Sequence, residues 1–198
     1  MTNCCSRIAR LASLIFVAAW MTVVPAAHGE PGSGSVTPLI RQMAGNWRVE
    51  PKMWPGPDAK AIELPKATAQ RRIVNDAFLD EEMTPAADSQ QEAFTRVAYV
   101  SFNTINQQYE YFSLDSRLPQ MMSYTLPGAN EAHAGQLELR GTSFVAPVWG
   151  QARNVPFMYR LTIGAVEGDR QIVRLFLKEQ RAQANEFLAF EYLYIRQP

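Results

Sequence analysis

The sequence predicts an all-β fold, an antiparallel sandwich or barrel of about ten strands, and three observations carry that expectation. Short runs of alternating apolar and polar residues recur from residue 46 to residue 195, rich in β-branched and aromatic side chains. Gly, Pro, Asn and Asp punctuate them at short intervals. No stretch beyond residue 43 has the spacing of a long amphipathic helix. That many strands in one domain must stack or close on themselves to hide their edges and bury one face. No internal repeat supports a propeller.

An export leader is expected ahead of this domain. Arg7 and Arg10 supply a positive n-region, and residues 11–27 are apolar except for Ser13, Thr22 and the helix-ending Pro25. Ala27-His28-Gly29 offers the small residues a signal peptidase reads, with cleavage expected after Gly29 and Ala26 or Ala27 as alternatives. The apolar run is at the short end of a membrane span, and no lipobox cysteine follows it. The expected organisation is therefore a signal peptide (1–29), a Gly/Ser/Pro linker (30–36) and one domain (37–198), located in the periplasm or secreted.

Composition then narrows the chemistry. Cys4 and Cys5 both lie in the leader, so the mature domain is expected to have no disulfide, thiol nucleophile or thiolate metal site. His28 leaves with the leader, and His133 alone cannot build a two-histidine metal centre, so no metal or cofactor is expected. Without Arg7 and Arg10 the 19 basic residues fall to 17 against 19 acidic ones, with no basic block, which argues against nucleic acid as a partner. No further apolar run is long enough to span a membrane.

Along the domain, residues 37–43 read as one or two helical turns. Thr37 can cap, Pro38 suits the first position, Leu39, Ile40 and Met43 share a face, and Gly45 stops the helix. Strands are expected at 46–50, 67–75, 77–83, 94–102, 107–114, 120–126, 136–140, 157–163, 170–178 and 186–195. The second and third of these turn at Asn75-Asp76. Leu137 and Leu139 oppose Gln136, Glu138 and Arg140, and Val173, Leu175 and Leu177 oppose Arg170, Arg174 and Lys178. Residues 52–65, with Pro55, Pro57 and Pro65, form the longest irregular stretch expected, a rim loop or lid.

Gly45-Asn46-Trp47, after a short helix and opening the first strand, resembles the Gly-x-Trp start of lipocalin-like barrels. There the tryptophan plugs one end and an arginine of the last strand covers its ring, a role matched here by Arg196. Trp54-Pro55-Gly56-Pro57, Arg72-Ile73-Val74, Phe78-Leu79, Glu81-Glu82-Met83, Phe102-Asn103, Tyr109-Glu110, Asp115-Ser116 and Glu191-Tyr192-Leu193-Tyr194-Ile195-Arg196 together resemble a bacterial family of exported barrel domains known only as a domain of unknown function. The resemblance covers residues 39–196 and implies a lipocalin-like (calycin-type) β-barrel with no known activity. Where that family has a glycine-rich turn, this chain has Asn75-Asp76-Ala77, which leaves the turn type open.

Several residues invite a functional reading. Trp47 and Arg196 are expected to close the barrel structurally. Arg96 shares a face with Phe94, Ala98, Val100 and Phe102; if inward, it must be paired, and it suits a ligand carboxylate or phosphate. Glu191 is an acid in the row of Phe187, Ala189, Leu193 and Ile195, but the opposite row of Leu188, Phe190, Tyr192 and Tyr194 is equally apolar, so either face can point inward. Tyr109, Tyr111, Phe112, Met121, Met122, Tyr124, Met158 and Tyr159 suit an adaptable pocket wall or ordinary core. From these, Arg96, Tyr109, Tyr111, Met122, Tyr124 and Tyr159 are the expected ligand contacts. Glu110, Asp115 and Glu138 show no pairing pattern of a glycosidase. No Gly-x-Ser-x-Gly, phosphate-cradling loop or His-Glu-x-x-His occurs.

The expectation is an exported lipocalin-like barrel that binds a small apolar or amphipathic ligand. The alternatives are a carboxylate-based hydrolase or isomerase with Glu191 or Glu110 as acid-base, and a non-catalytic envelope interaction domain with a filled core.

Overall fold

A computed structural model describes residues 36–90, 92–126, 135–149, 152–180 and 183–198. The expected leader, the expected linker apart from Val36, and His133 lie outside the described residues. One short helix, α1 (Pro38–Arg41), opens the domain. Thr37 caps it by accepting the Ile40 N–H, and Pro38 sits where its missing N–H costs nothing. Twelve strands follow: β1 (Gly45–Met53), β2 (Ile62–Glu63), β3 (Ala67–Val74), β4 (Phe78–Pro85), β5 (Arg96–Asn103), β6 (Gln108–Asp115), β7 (Leu118–Leu126), β8 (Leu137–Gly141), β9 (Phe144–Trp149), β10 (Ala152–Ile163), β11 (Arg170–Glu179) and β12 (Phe187–Arg196).

Every pairing is antiparallel, and ten strands close a ring in the order β1-β3-β4-β5-β6-β7-β8-β10-β11-β12 and back to β1. β2 pairs with the end of β1, and β9 prolongs β8 along β10. Closure leaves the ring without edges, so the backbone partners that an open sheet lacks are supplied internally. The ten-strand barrel is the fold expected from the sequence.

The strand limits needed correction where side-chain period misleads. β1 runs on through Pro51 to Met53, and part of the expected 52–65 loop pairs as β2. β5 begins at Arg96 rather than Phe94. β9 and the first five residues of β10 were not expected, because Pro147 and Pro156 sit in them and read as breakers. Between β8 and β9 three residues, 141–143, face only Met158 and Tyr159, which makes a bulge. Gly141 is required there, since a Cβ would overlap the Tyr159 ring. The 74–77 turn has Asn75 at φ 49° and Asp76 at φ 54°, with Ala77 N–H bonded to Val74 O at 2.9 Å, a type I′ turn. Asn and Asp tolerate this region best among residues with a Cβ, so no glycine is needed.

One barrel end is plugged from β1 and α1. Trp47 is 1 % exposed, and its Nε1 donates to Met43 O at 3.0 Å. The Arg196 guanidinium lies 4.2 Å from the Trp47 ring centre. It donates to Ala44 O at 2.6 Å and Gln42 O at 2.7 Å, thereby capping the end of the helix. Gly45 lies beneath it at φ +136°, with no room for a Cβ under the guanidinium. At the opposite end β1, β4, β6 and β11 finish and β3, β5, β7 and β12 begin.

Arg196→Ala removes two carbonyl caps and the ring contact, and is expected to cost about 1–3 kcal/mol in urea unfolding. Arg196→Lys is expected to recover less than half of that loss, because an ammonium cannot both fork to two carbonyls and lie flat on indole. An unchanged midpoint for Arg196→Ala would refute the closing role of this contact.

Candidate functional site

Barrel closure sends alternate residues of every strand into a shared interior, and several of those are charged. On β3 the inward row is Ala67, Ala69 and Arg71; on β4 it is Leu79, Glu81 and Met83; on β5 it is Arg96, Ala98 and Val100. On β11 Gln171 lies inward with Val173 and Leu177, and on β12 Tyr194 does the same. These rows converge on one polar cluster inside an otherwise apolar core. Sequence reading missed Arg71, Glu81 and Gln171. The signal was present, since strict alternation places Arg71 with Ala69 and Glu81 with Leu79 and Met83.

Within the cluster, Arg71 Nε donates to Glu81 Oε2 at 2.6 Å. Its Nη1 is bonded to Gln171 Oε1, and Gln171 Nε2 passes the chain on to Gly164 O at 2.8 Å. The Arg71 guanidinium lies 3.9 Å from the Tyr194 ring centre, and the Tyr194 hydroxyl donates to Glu81 Oε1 at 3.3 Å. Arg71, Glu81, Gln171 and Tyr194 thus form a matched unit, as buried charge requires. Burial alone pushes the Glu81 carboxyl up, but the Arg71 and Arg96 guanidiniums and the Tyr194 hydroxyl outweigh it and hold it below its ordinary 4.5. The Tyr194 phenol is raised, by burial first and then by the adjacent Glu81 charge, and stays neutral.

Arg96 stands beside this unit. It is 9 % exposed, its Nη2 is bonded to the Tyr111 hydroxyl, and its Nη1 lies 4.0 Å from Glu81 Oε1. The inward orientation of Arg96 resolves the strand face left open by the sequence.

Around and above Arg96 the interior is aromatic. Tyr111, Tyr124 and Tyr159 form consecutive edge contacts with ring centres 5.1 and 4.5 Å apart. The row continues through Phe144 to Phe157 and Trp149, then to Phe187, Phe190 and Tyr192. Phe144, Trp149, Phe187, Phe190 and Tyr192 are only half-buried, and they sit toward the open end. Trp149 is held by its Nε1, which donates to Pro55 O at 2.9 Å across the 54–61 connection. Tyr159 donates to Ser123 O at 3.0 Å, and Gln120 Nε2 reaches Val145 O at 3.0 Å. These side chains tie β7 to β10 and β9 where backbone pairing between β7 and β8 stops at Tyr124–Gly141.

Of the expected ligand contacts, the structure brings together Arg96, Tyr111, Tyr124 and Tyr159, with Met122 half-buried beside Tyr124. Tyr109 is buried but lies toward the plugged end, against Phe102 and 3.4 Å from Thr37 Oγ1. Phe112 is on the outer face, stacked on Tyr99. Met121 and Met158 are 74 % and 48 % exposed, so they are not interior wall either.

The two acid-base candidates are corrected too. A bulge at Ala189 turns the row of Phe190, Tyr192 and Tyr194 inward and leaves Glu191 outside, where Arg174 Nε donates to it at 2.7 Å. Glu110 lies on the outer face and accepts from Asn103 Nδ2 at 2.9 Å and Gln108 Nε2 at 3.0 Å. The acid that does face the interior, Glu81, is held ionised by its partners and is no proton donor at neutral pH. Among the described residues no cluster of three or more His, Cys, Asp or Glu has metal-binding geometry.

Glu81 sets a pH dependence with a definite sign. Its folded value is depressed, so its stabilising contribution is complete above about 4.5 and drains away as pH falls through the lower folded value. Native melting temperature is expected to drop on acidification below that point. Glu81→Gln is expected to cost about 3–5 kcal/mol at neutral pH, since it leaves Arg71 unpaired, and to flatten the acid limb. Asp115, lowered by Arg117 against its burial, contributes the same sign in both proteins, so the difference between the two melting curves isolates Glu81. Parallel acid limbs would refute the assignment.

The chain matches the family described as "Protein of unknown function (DUF1579)" over residues 34–193. No curated protein matches it.

Proposed function

The chain belongs to the DUF1579 family, whose members share a domain of unknown function, and from that premise we propose that this one is an exported, lipocalin-like carrier of a small apolar or amphipathic molecule. The observation that carries the reading is the wall of half-buried rings, Phe144, Trp149, Phe187, Phe190 and Tyr192, gathered at the unplugged end of a closed barrel. Water-contacting rings of this number are expensive to maintain unless something covers them. Tyr124 and Tyr159 add polar handles to an apolar surface, a combination that suits amphipathic ligands. Export supports the same reading, because the cleavable leader pattern at 1–29 would deliver the domain to an oxidising compartment where its lack of mature cysteine is no handicap.

One observation favours a second reading, an envelope interaction domain with a filled core. The space enclosed around Arg96, Glu81 and Tyr111 is about 10 Å³, room for a single water. On the carrier reading the ligand lies across the aromatic mouth and reaches this space with one small group. On the filled-core reading nothing enters.

Native mass spectrometry of the protein recovered from the periplasm tests both. The expected N-terminus is Glu30, and the expected spectrum includes a co-purifying small molecule released by organic extraction. Trp149→Ala is expected to weaken rebinding about tenfold, the scale of a central aromatic contact. A mass that retains residues 1–29 would defeat the export reading. Failure of the protein to retain any apolar or amphipathic probe would leave the filled core as the function-bearing state.

A further inference from the structure

Among the described residues two buried guanidiniums, Arg71 and Arg96, enter this barrel, and one buried carboxylate, Glu81, meets them. Glu81 spends Oε2 on Arg71 Nε and Oε1 on the Tyr194 hydroxyl. What remains for Arg96 is a 4.0 Å approach, too long for a hydrogen bond. Arg96 Nη2 has the Tyr111 hydroxyl, a neutral partner. Arg96 Nη1 is buried and has no hydrogen-bond partner. Among the described residues it is the one buried side-chain nitrogen or oxygen in that condition. Arg71, Arg96 and Glu81 together leave one positive charge in the interior without a counter-charge. Asp115, opposite Arg96 in the β5–β6 ladder, feels its charge but is paired with Arg117 at 2.6 Å.

A buried charge without a partner is costly. An apolar residue in place of Arg96 would spare both the desolvation of a cation and an unpaired donor, so the arginine calls for a compensating partner. We propose that Arg96 is the receptor for a single negative charge delivered from outside the chain, the carboxylate of an amphipathic ligand. This rests on the carrier reading above and names its headgroup.

Three features of the site select that chemistry. Arg96 lines a space of about 10 Å³ together with Arg71, Glu81, Tyr111 and Tyr194 among apolar side chains. That space takes one oxygen atom, not a phosphate with its several charged oxygens. One uncompensated charge calls for a monoanion, which would bring the site to neutrality; a dianion would leave a net negative charge buried beside Glu81. The Arg96 guanidinium lies 5.2 Å from the Tyr192 ring centre, Tyr192 stacks on Phe190 at 6.0 Å and 13°, and Phe190 meets Trp149 at 5.9 Å. A chain anchored at Arg96 therefore has an apolar track of rings out to the mouth.

The test compares decanoate with decanol, equal in chain and different in headgroup charge, by calorimetry at neutral pH, on the full mature protein and on Arg96→Met and Arg96→Lys. A sodium bromide titration against bound decanoate forms the third arm. Decanoate is expected to bind the native protein at least about tenfold more tightly than decanol. Arg96→Met is expected to fold, since it removes an uncompensated charge, and to erase that preference while changing decanol affinity by less than about threefold. Arg96→Lys keeps the charge but displaces the donor, and is expected to retain part of the preference. Bromide that displaces decanoate, or that raises the melting temperature of the native protein and not of Arg96→Met, supports the anion site and identifies a free monoanion as an occupant. Equal binding of decanoate and decanol to the native protein overturns the headgroup assignment while the carrier reading stands. No binding of decanoate, decanol or bromide overturns both.

Discussion

Closing ten strands into a ring commits every second residue to an interior that water does not fill, and the consequences of that commitment run through the whole molecule. Where those residues are Val, Leu or Ile, the result is ordinary core. Where they are Arg71, Glu81, Arg96 and Gln171, the barrel must supply partners, some from the neighbouring strand and some from strands far away in sequence. Arg71 to Gln171 spans 100 positions and Tyr194 to Glu81 spans 113. The polar cluster therefore ties the first half of the barrel to its last two strands, across the interior rather than along the wall. Arg71 meets Glu81 across the β3–β4 ladder, but Gln171 and Tyr194 complete the cluster only when the ring is closed.

The two ends of the barrel are built to opposite purposes. At one, Trp47, Arg196 and α1 form a plug in which every polar group present in the contact is used: the indole N–H on Met43 O, the guanidinium on two carbonyls. At the other, strands are splayed by the bulges at 141–143 and Ala189, and rings stand half-covered. Bulges add twist and redirect side chains, which is how a regular ladder can present Phe190 and Tyr192 inward while Glu191 points out. The asymmetry gives the interior one approachable side.

Between these ends, among the described residues, one buried side-chain donor lacks a hydrogen-bond partner. Arg71 is fully matched; Arg96, one strand pair away and equally buried, is not. The difference is geometric, since Glu81 has only two oxygens and both face Arg71 and Tyr194. The aromatic track from Arg96 to the mouth gives the unmatched charge a physical context that a chance core defect would lack.

Much of this was legible in the chain itself. Alternation located all ten barrel strands, and Gly45-Asn46-Trp47 with Arg196 marked the plug, because local period and turn chemistry depend on neighbours in sequence. The strand pieces around Pro147 and Pro156 were missed, since proline is tolerated where a ladder leaves the N–H unused, and sequence does not say which N–H groups those are. Arg96 stood out on its own strand, and its inward pose needed the ring. Arg71, Glu81 and Gln171 carried the right period but looked like ordinary polar residues, and the side taken by Glu191 stayed open because both faces of β12 are apolar. Period determines which residues share a face; only closure, and the bulge at Ala189, decides which face is inside. A charge is buried or solvated according to that choice, so the sequence by itself determined the barrel and its plug, and the tertiary structure alone decided which charges had to find partners.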